Sequence, residues 1–163
     1  MPKAGLRGLN YNFCVLRAGD KGGLLERTAR RTGRGGSTYS SFVLADYENE
    51  KRYEAGEVSR KESFERAACF LERIIPVAES NKVQMACHPN DPPTQILNGV
   101  EKWNWPVFDV LKRFSELVES PYHGFNFCCG VASEGLEDPG TELPPIIKYF
   151  AERKKIFNVH FRD

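Results

Sequence analysis

The chain has 163 residues, 40% of them hydrophobic and 28% charged, with a formal net charge of +1. This suits one ordinary globular domain with enough apolar material for a core, and so small a charge points to neither a nucleic-acid partner nor an acidic substrate. No run approaches the ~18 apolar residues of a membrane span, the N-terminus lacks a secretory h-region, and the five cysteines, with Cys128 and Cys129 adjacent, make a poor disulfide framework, so a cytoplasmic protein with free thiols and no membrane partner is expected.

Residues 1–34 hold eight Lys or Arg against two Asp or Glu. A nucleic-acid arm is one interpretation. A solvated loop is preferred, because Leu6, Leu9, Tyr11, Phe13 and Val15 alternate as in a strand and no aromatics interleave the Arg run. Residues 6–14 are predicted as a strand. Residues 15–58 are the least regular part, with the Gly-rich stretch Gly33-Arg34-Gly35-Gly36; an irregular segment that long is usually functional or poorly ordered.

A helix is predicted over 59–79. Ser59 and Glu62 form a capping box, and Phe64, Ala67, Ala68, Leu71, Ile74, Ile75 and Ala78 share one face. Residues 82–87 follow as a short apolar strand. The prolines at 89, 92 and 93 exclude a regular helix between His88 and Trp105. A helix is predicted over 106–119, with Pro106 in its first turn, then a strand over 122–128. A turn-rich stretch comes next, then a helix over 142–153 and a last strand over 155–161.

Strands alternating with helices argue βα units around a parallel sheet, with the helices outside. Four such strands make either half of an eight-stranded barrel or a small open sheet. A whole (β/α)8 barrel takes about 250 residues.

Three metal-competent side chains fall at equivalent places. His88 closes one predicted strand, Cys128 closes the next, and His160 lies near the end of the last. Ligands of parallel α/β proteins bind at the carboxyl ends of strands, where loops converge. Two imidazoles and a thiolate suit a borderline divalent cation with a position open to substrate. The competing interpretation is three packed, hydrogen-bonded core residues. Cys129 and Cys87 are each one step out of phase with the site. Cys14 is read as a small buried hydrophobe, and His123, at the start of its strand, as structural. Gly33-Arg34-Gly35-Gly36 lacks the Lys-Ser/Thr of a phosphate loop. It is a simple turn, or it offers Arg34 as a clamp for a substrate carboxylate.

Three strings, Met85-Ala86-Cys87-His88-Pro89-Asn90-Asp91-Pro92-Pro93, Ser120 to Cys128 (SPYHGFNFC) and Lys155 to Arg162 (KIFNVHFR), together resemble the mannonate dehydratase family. Asn98-Gly99-Val100-Glu101 and Tyr11-Asn12-Phe13 fit as well. The resemblance implies a xylose-isomerase-like TIM barrel. Within it, residues 1–163 would be a single partial domain of about four parallel strands, lacking the first strands and the C-terminal part. It implies a Mn²⁺ or Fe²⁺ site with His88, Cys128 and His160 as ligands, whereas ligand chemistry alone also suits Zn²⁺. A fourth ligand, an Asp, and the acid/base His and Tyr are expected downstream. Arg162 is a candidate partner for the substrate carboxylate or for a ligand. Three departures stand out: Asn90 where the family usually has Asp, Cys129 where Gln is common, and Asp163 where Asn is usual.

The implied reaction removes water from D-mannonate to give 2-keto-3-deoxy-D-gluconate in hexuronate (glucuronate) catabolism. A divalent cation supplies Lewis acidity, a base takes the C2 proton and an acid assists departure of the C3 hydroxyl. Little activity is expected of the 163 residues alone. The alternatives are another metal-dependent barrel enzyme acting as a sugar isomerase or epimerase, or a non-catalytic remnant. Homo-oligomerisation is left open for full-length relatives.

Overall fold

The computed structural model describes residues 5–14, 29–47 and 56–162. In chain order its elements are β1 (Gly8–Asn12), β2 (Ala29–Thr32), β3 (Thr38–Ser41), α1 (Arg60–Ser80), β4 (Gln84–His88), β5 (Ile96–Leu97), β6 (Val100–Glu101), α2 (Val107–Ser115), β7 (His123–Cys128), α3 (Cys129–Glu134), α4 (Pro139–Glu152) and β8 (Ile156–His160). Strands β1, β4, β7 and β8 form one parallel sheet in that order. The expected βα alternation therefore holds, and the two short pairs β2–β3 and β5–β6 are antiparallel additions to it.

Period-two alternation gives this sheet two unlike faces. Leu9, Tyr11, Met85, Cys87, Phe125 and Phe127 pack beneath the helices, against Phe64, Leu71 and Ile75 of α1, Leu111 and Phe114 of α2, and Ile146 and Phe150 of α4. The residues between them (Asn10, Asn12, Ala86, His88, Gly124, Asn126 and Cys128) point the other way. That second face is polar, and on it Asn158 Nδ2 donates to Asn126 Oδ1 at 3.1 Å.

The β7–β8 register slips between Phe125 and Asn126, so that Phe125 lies opposite Ile156 but Asn126 lies opposite Asn158. This bulge leaves Phe157 as the extra residue and sets Cys128 opposite His160. Gly124 makes the approach feasible. A Cβ there would collide with the Lys155 carbonyl and lie 2.8 Å from the Phe157 ring.

Helix α1 starts as expected: Ser59 accepts from the Glu62 amide and the Glu62 carboxylate returns the bond to the Ser59 amide. Elsewhere the boundaries need correction. Residues 15–58 are not all irregular, because β2 and β3 pair across a 3-10 turn at Arg34–Gly36, where Gly35 and Gly36 take positive φ. Pro106 is the N-cap of α2 and not a first-turn residue, and α2 ends at Ser115 as the Glu116 amide turns to the Lys112 and Arg113 carbonyls. Helix α4 starts at Pro139, three residues early, because the Asp138 side chain caps it. The loop after His88 carries the β5–β6 hairpin, turned by Asn98 and Gly99 at positive φ. Most of the basic N-terminal segment, Val15 and Asp163 lie outside the described residues.

His123 opens β7 and is wholly buried. Its Nδ1–H donates to the Val118 carbonyl at 3.1 Å, and Nε2 has no partner. Burial, aided by the nearby Lys155 charge and opposed by the Val118 bond, pushes its pKa down to about 4. The unfolded chain takes up a proton near 6.5, so stability is whole above that pH and falls as pH drops from there to about 4. The loss attributable to this one residue is about 3 kcal/mol. Urea midpoints at pH 7.5 and 4.5 check this: His123→Gln lowers stability at pH 7.5 but flattens the acid-side loss.

Candidate metal centre

The carboxyl ends of β4, β7 and β8 bring His88, Cys128 and His160 together. Their candidate ligand atoms all lie within 4.8 Å of one another. His88 Nδ1–H donates to its neighbour's carbonyl, Pro89 O, at 2.6 Å, which leaves Nε2 with a lone pair. That Nε2 lies 3.0 Å from His160 Nδ1. On one tetrahedral ion, two imidazole nitrogens at about 2.1 Å stand roughly 3.4 Å apart. The pair is thus a few tenths of an ångström from a coordinating separation, and the backbone carbonyl already sets the His88 tautomer a ligand needs.

Cys128 is fully buried and ends β7 where α3 begins. Its Sγ accepts from the Val131 amide at 3.5 Å. Burial opposes a thiolate here, but the His88 ring, the Val131 amide and the Arg162 guanidinium together outweigh it and draw the Cys128 pKa below its ordinary value. His88 moves the opposite way. Burial disfavours its cation, and the Cys128 sulfur, the Pro89 carbonyl and Asp91 overcome that and raise its pKa. A thiol drawn toward thiolate beside two imidazoles is a soft-to-borderline donor set, and it fits a divalent transition metal.

The out-of-phase cysteines behave differently. Cys87 sits in the apolar core, where burial pushes its thiol up. Cys129 is out of line because β7 stops and α3 starts at that residue, not because a strand continues. Cys14 is only half-buried and lines a crevice of about 170 Å³ with Phe13, Asn90, Lys102 and Trp103.

Arg162 reaches the cluster and Arg34 does not. One Arg162 terminal nitrogen bonds Asp91 Oδ2 at 3.0 Å and Glu134 Oε1 at 3.1 Å. Arg34 lies exposed in the β2–β3 turn, and no contact joins it to the triad among the described residues. Sequence reasoning missed Asp91 and Glu134, which are 71 and 28 residues from Arg162.

Asn90 turns away from the triad. With its amide oriented to satisfy its neighbours, its nitrogen donates to Phe13 O at 3.1 Å and to Asn12 Oδ1 at 2.6 Å, and its oxygen accepts from Trp103 Nε1 at 3.0 Å. A carboxylate would set an acceptor against those two acceptors. Asn90→Asp is therefore expected to cost about 2 kcal/mol at pH 7. Equilibrium urea unfolding measures the loss, which shrinks at acid pH as the carboxyl regains a proton.

Residues 44–163 match the family model described as D-mannonate dehydratase (UxuA). The chain belongs to the mannonate dehydratase family. Mannonate dehydratase of Enterococcus faecalis is 39% identical over 120 residues, 74% of this chain and 31% of that protein. Mannonate dehydratase of Thermotoga maritima is 34% identical over 115 residues, 65% of this chain and 28% of that protein. The chain thus spans about a third of these relatives. The crystal structure of mannonate dehydratase from Streptococcus suis serotype 2 superposes with a TM-score of 0.79 at 24% identity, over 99% of this chain and 45% of that one. The likeness shows the fold: the parallel sheet and its helices are part of an α/β barrel. The family is metal-dependent, and the His88–Cys128–His160 cluster is what this chain could hold an ion with. No helix among the described residues is long and apolar enough to cross a membrane.

Proposed function

We propose that residues 1–163 form one partial barrel domain of a D-mannonate dehydratase, a hydro-lyase yielding 2-keto-3-deoxy-D-gluconate in hexuronate breakdown. The supporting observation is the convergence of His88, Cys128 and His160 on one point of a chain that belongs to this family. A bound Mn²⁺ or Fe²⁺ would supply Lewis acidity for charge that develops next to the substrate carboxylate as the C2 proton leaves. This chain's own contribution is orientation. The Pro89 carbonyl fixes the His88 ring, the Val131 amide steadies the Cys128 sulfur, and the polar pair Asn126–Asn158 lines the same face beneath them.

From the family resemblance, a fourth ligand and the acid/base pair are expected on strands other than these four. The 163 residues alone are therefore expected to bind metal weakly and to give negligible turnover. The test is 2-keto acid formed from D-mannonate with Mn²⁺, by the chain alone and by a chimera in which residues 44–163 replace the matched segment of the Enterococcus faecalis enzyme. Product from the chimera, lost on His88→Ala, supports the proposal. A folded, metal-loaded chimera that forms no product contradicts it.

A further inference from the structure

We propose that Arg162 is a positioning residue that fastens the three strand ends carrying His88, Cys128 and His160 to one another, and is not a free clamp for a substrate carboxylate. The proposal rests on reading the triad as a metal site.

Each partner of Arg162 belongs to a different ligand-bearing segment. Arg162 lies two residues beyond His160. Asp91 lies three residues beyond His88. Glu134 is the last residue of α3, the helix that Cys128 caps. One terminal nitrogen, with its two hydrogens, reaches Asp91 Oδ2 at 3.0 Å and Glu134 Oε1 at 3.1 Å. All three side chains are largely shielded, at 26%, 21% and 34% exposure, so water screens the pairs less than it screens surface pairs.

The arginine stem is seated as well as its head. Gly130, buried in the first turn of α3, has no side chain, and a Cβ there would lie 2.5 Å from Arg162 Cγ and 2.7 Å from Nε. Nε itself is buried and has no hydrogen-bond partner. With both hydrogens of that terminal nitrogen engaged by Asp91 and Glu134, it is not free to clamp a third carboxylate. A lysine ammonium has hydrogens enough for both carboxylates, but it sits on a shorter, flexible stem without the guanidinium plane that fixes the donating nitrogen, so it holds them less firmly.

The test is a titration of the 163-residue chain with Co²⁺, reading the dissociation constant and the sulfur-to-cobalt charge-transfer absorption that reports Cys128 ligation. Arg162→Ala is expected to weaken Co²⁺ binding about 10–100-fold and to displace or diminish that band. Arg162→Lys recovers it only in part. The double variant Asp91→Asn with Glu134→Gln reproduces the loss, and adding Arg162→Ala to it costs little more, since the three act as a unit. If Arg162→Ala fails to fold by circular dichroism, the Asp91→Asn and Glu134→Gln variants decide the matter. Wild-type affinity and an unmoved band in those variants would overturn the proposal. A wild-type chain with no thiolate–cobalt band, or a Cys128→Ser chain that binds like wild type, overturns the metal-site reading and the proposal with it. That outcome is distinguishable because Arg162 is intact in both proteins.

Discussion

Cys128→Ser and His88→Ala each reduce bound divalent metal to background, a loss larger than the 10–100-fold that removal of a supporting residue costs. Serine keeps the shape of the buried side chain and the N-cap position, so packing is nearly unchanged. It removes the soft anionic donor: a hydroxyl does not ionise in the environment that draws the Cys128 thiol toward thiolate. Alanine at 88 removes a candidate ligand whose tautomer is set by a backbone carbonyl, at 2.6 Å from Pro89 O. Elemental analysis after equilibrium dialysis measures both. Unchanged metal content in the two variants would remove these residues from the site.

Phe150→Ala is expected to destabilise the fold by about 3–5 kcal/mol, a large share of the 5–15 kcal/mol typical of a domain. Phe150 is completely buried. Its ring centroid lies 5.2 Å from that of Phe125 and 6.2 Å from that of Phe127. Those two phenylalanines form the helix-facing side of β7, whose other face presents Asn126 and Cys128. The cavity therefore opens behind the strand that holds Cys128. Phe161→Ala is the contrasting control: Phe161 is 88% exposed, and its loss is expected to move stability by no more than about 0.5 kcal/mol. Thermal and urea unfolding of both variants would show the difference, and equal effects would mean that the aromatic layer under α4 is not the core.

The triad was legible in the sequence because strand patterning is local. The alternation in Phe125-Asn126-Phe127-Cys128 tells which side each residue takes, and parallel βα order brings strand ends to one rim. The supports of the triad were not legible. Glu134 ends a helix only six residues long, too short for a hydrophobic period, so Cys129–Glu134 reads as turns. Its meeting with Arg162 depends on the whole sheet closing up. The β2–β3 ribbon escaped for a different reason: Arg31, Thr32, Thr38 and Tyr39 are all exposed, and without burial there is no alternation to detect. The bulge at Phe157 was likewise hidden, since Ile156-Phe157-Asn158 does not show which residue will be left unpaired. In the sequence, Asn90 stands as a carboxylate lost beside the candidate ligand His88. The structure gives it a different task, tying the end of β1 to the loop after β4 through Phe13, Asn12 and Trp103.

One ion is expected to bind at the meeting point of β4, β7 and β8. X-ray absorption at the metal edge of the Co²⁺-loaded chain addresses it most directly. We expect one sulfur neighbour at about 2.3 Å with imidazole nitrogens at about 2.1 Å, and the sulfur shell missing in Cys128→Ser. A shell of oxygen and nitrogen alone in the wild-type chain, or a sulfur shell that survives Cys128→Ser, would contradict the claim.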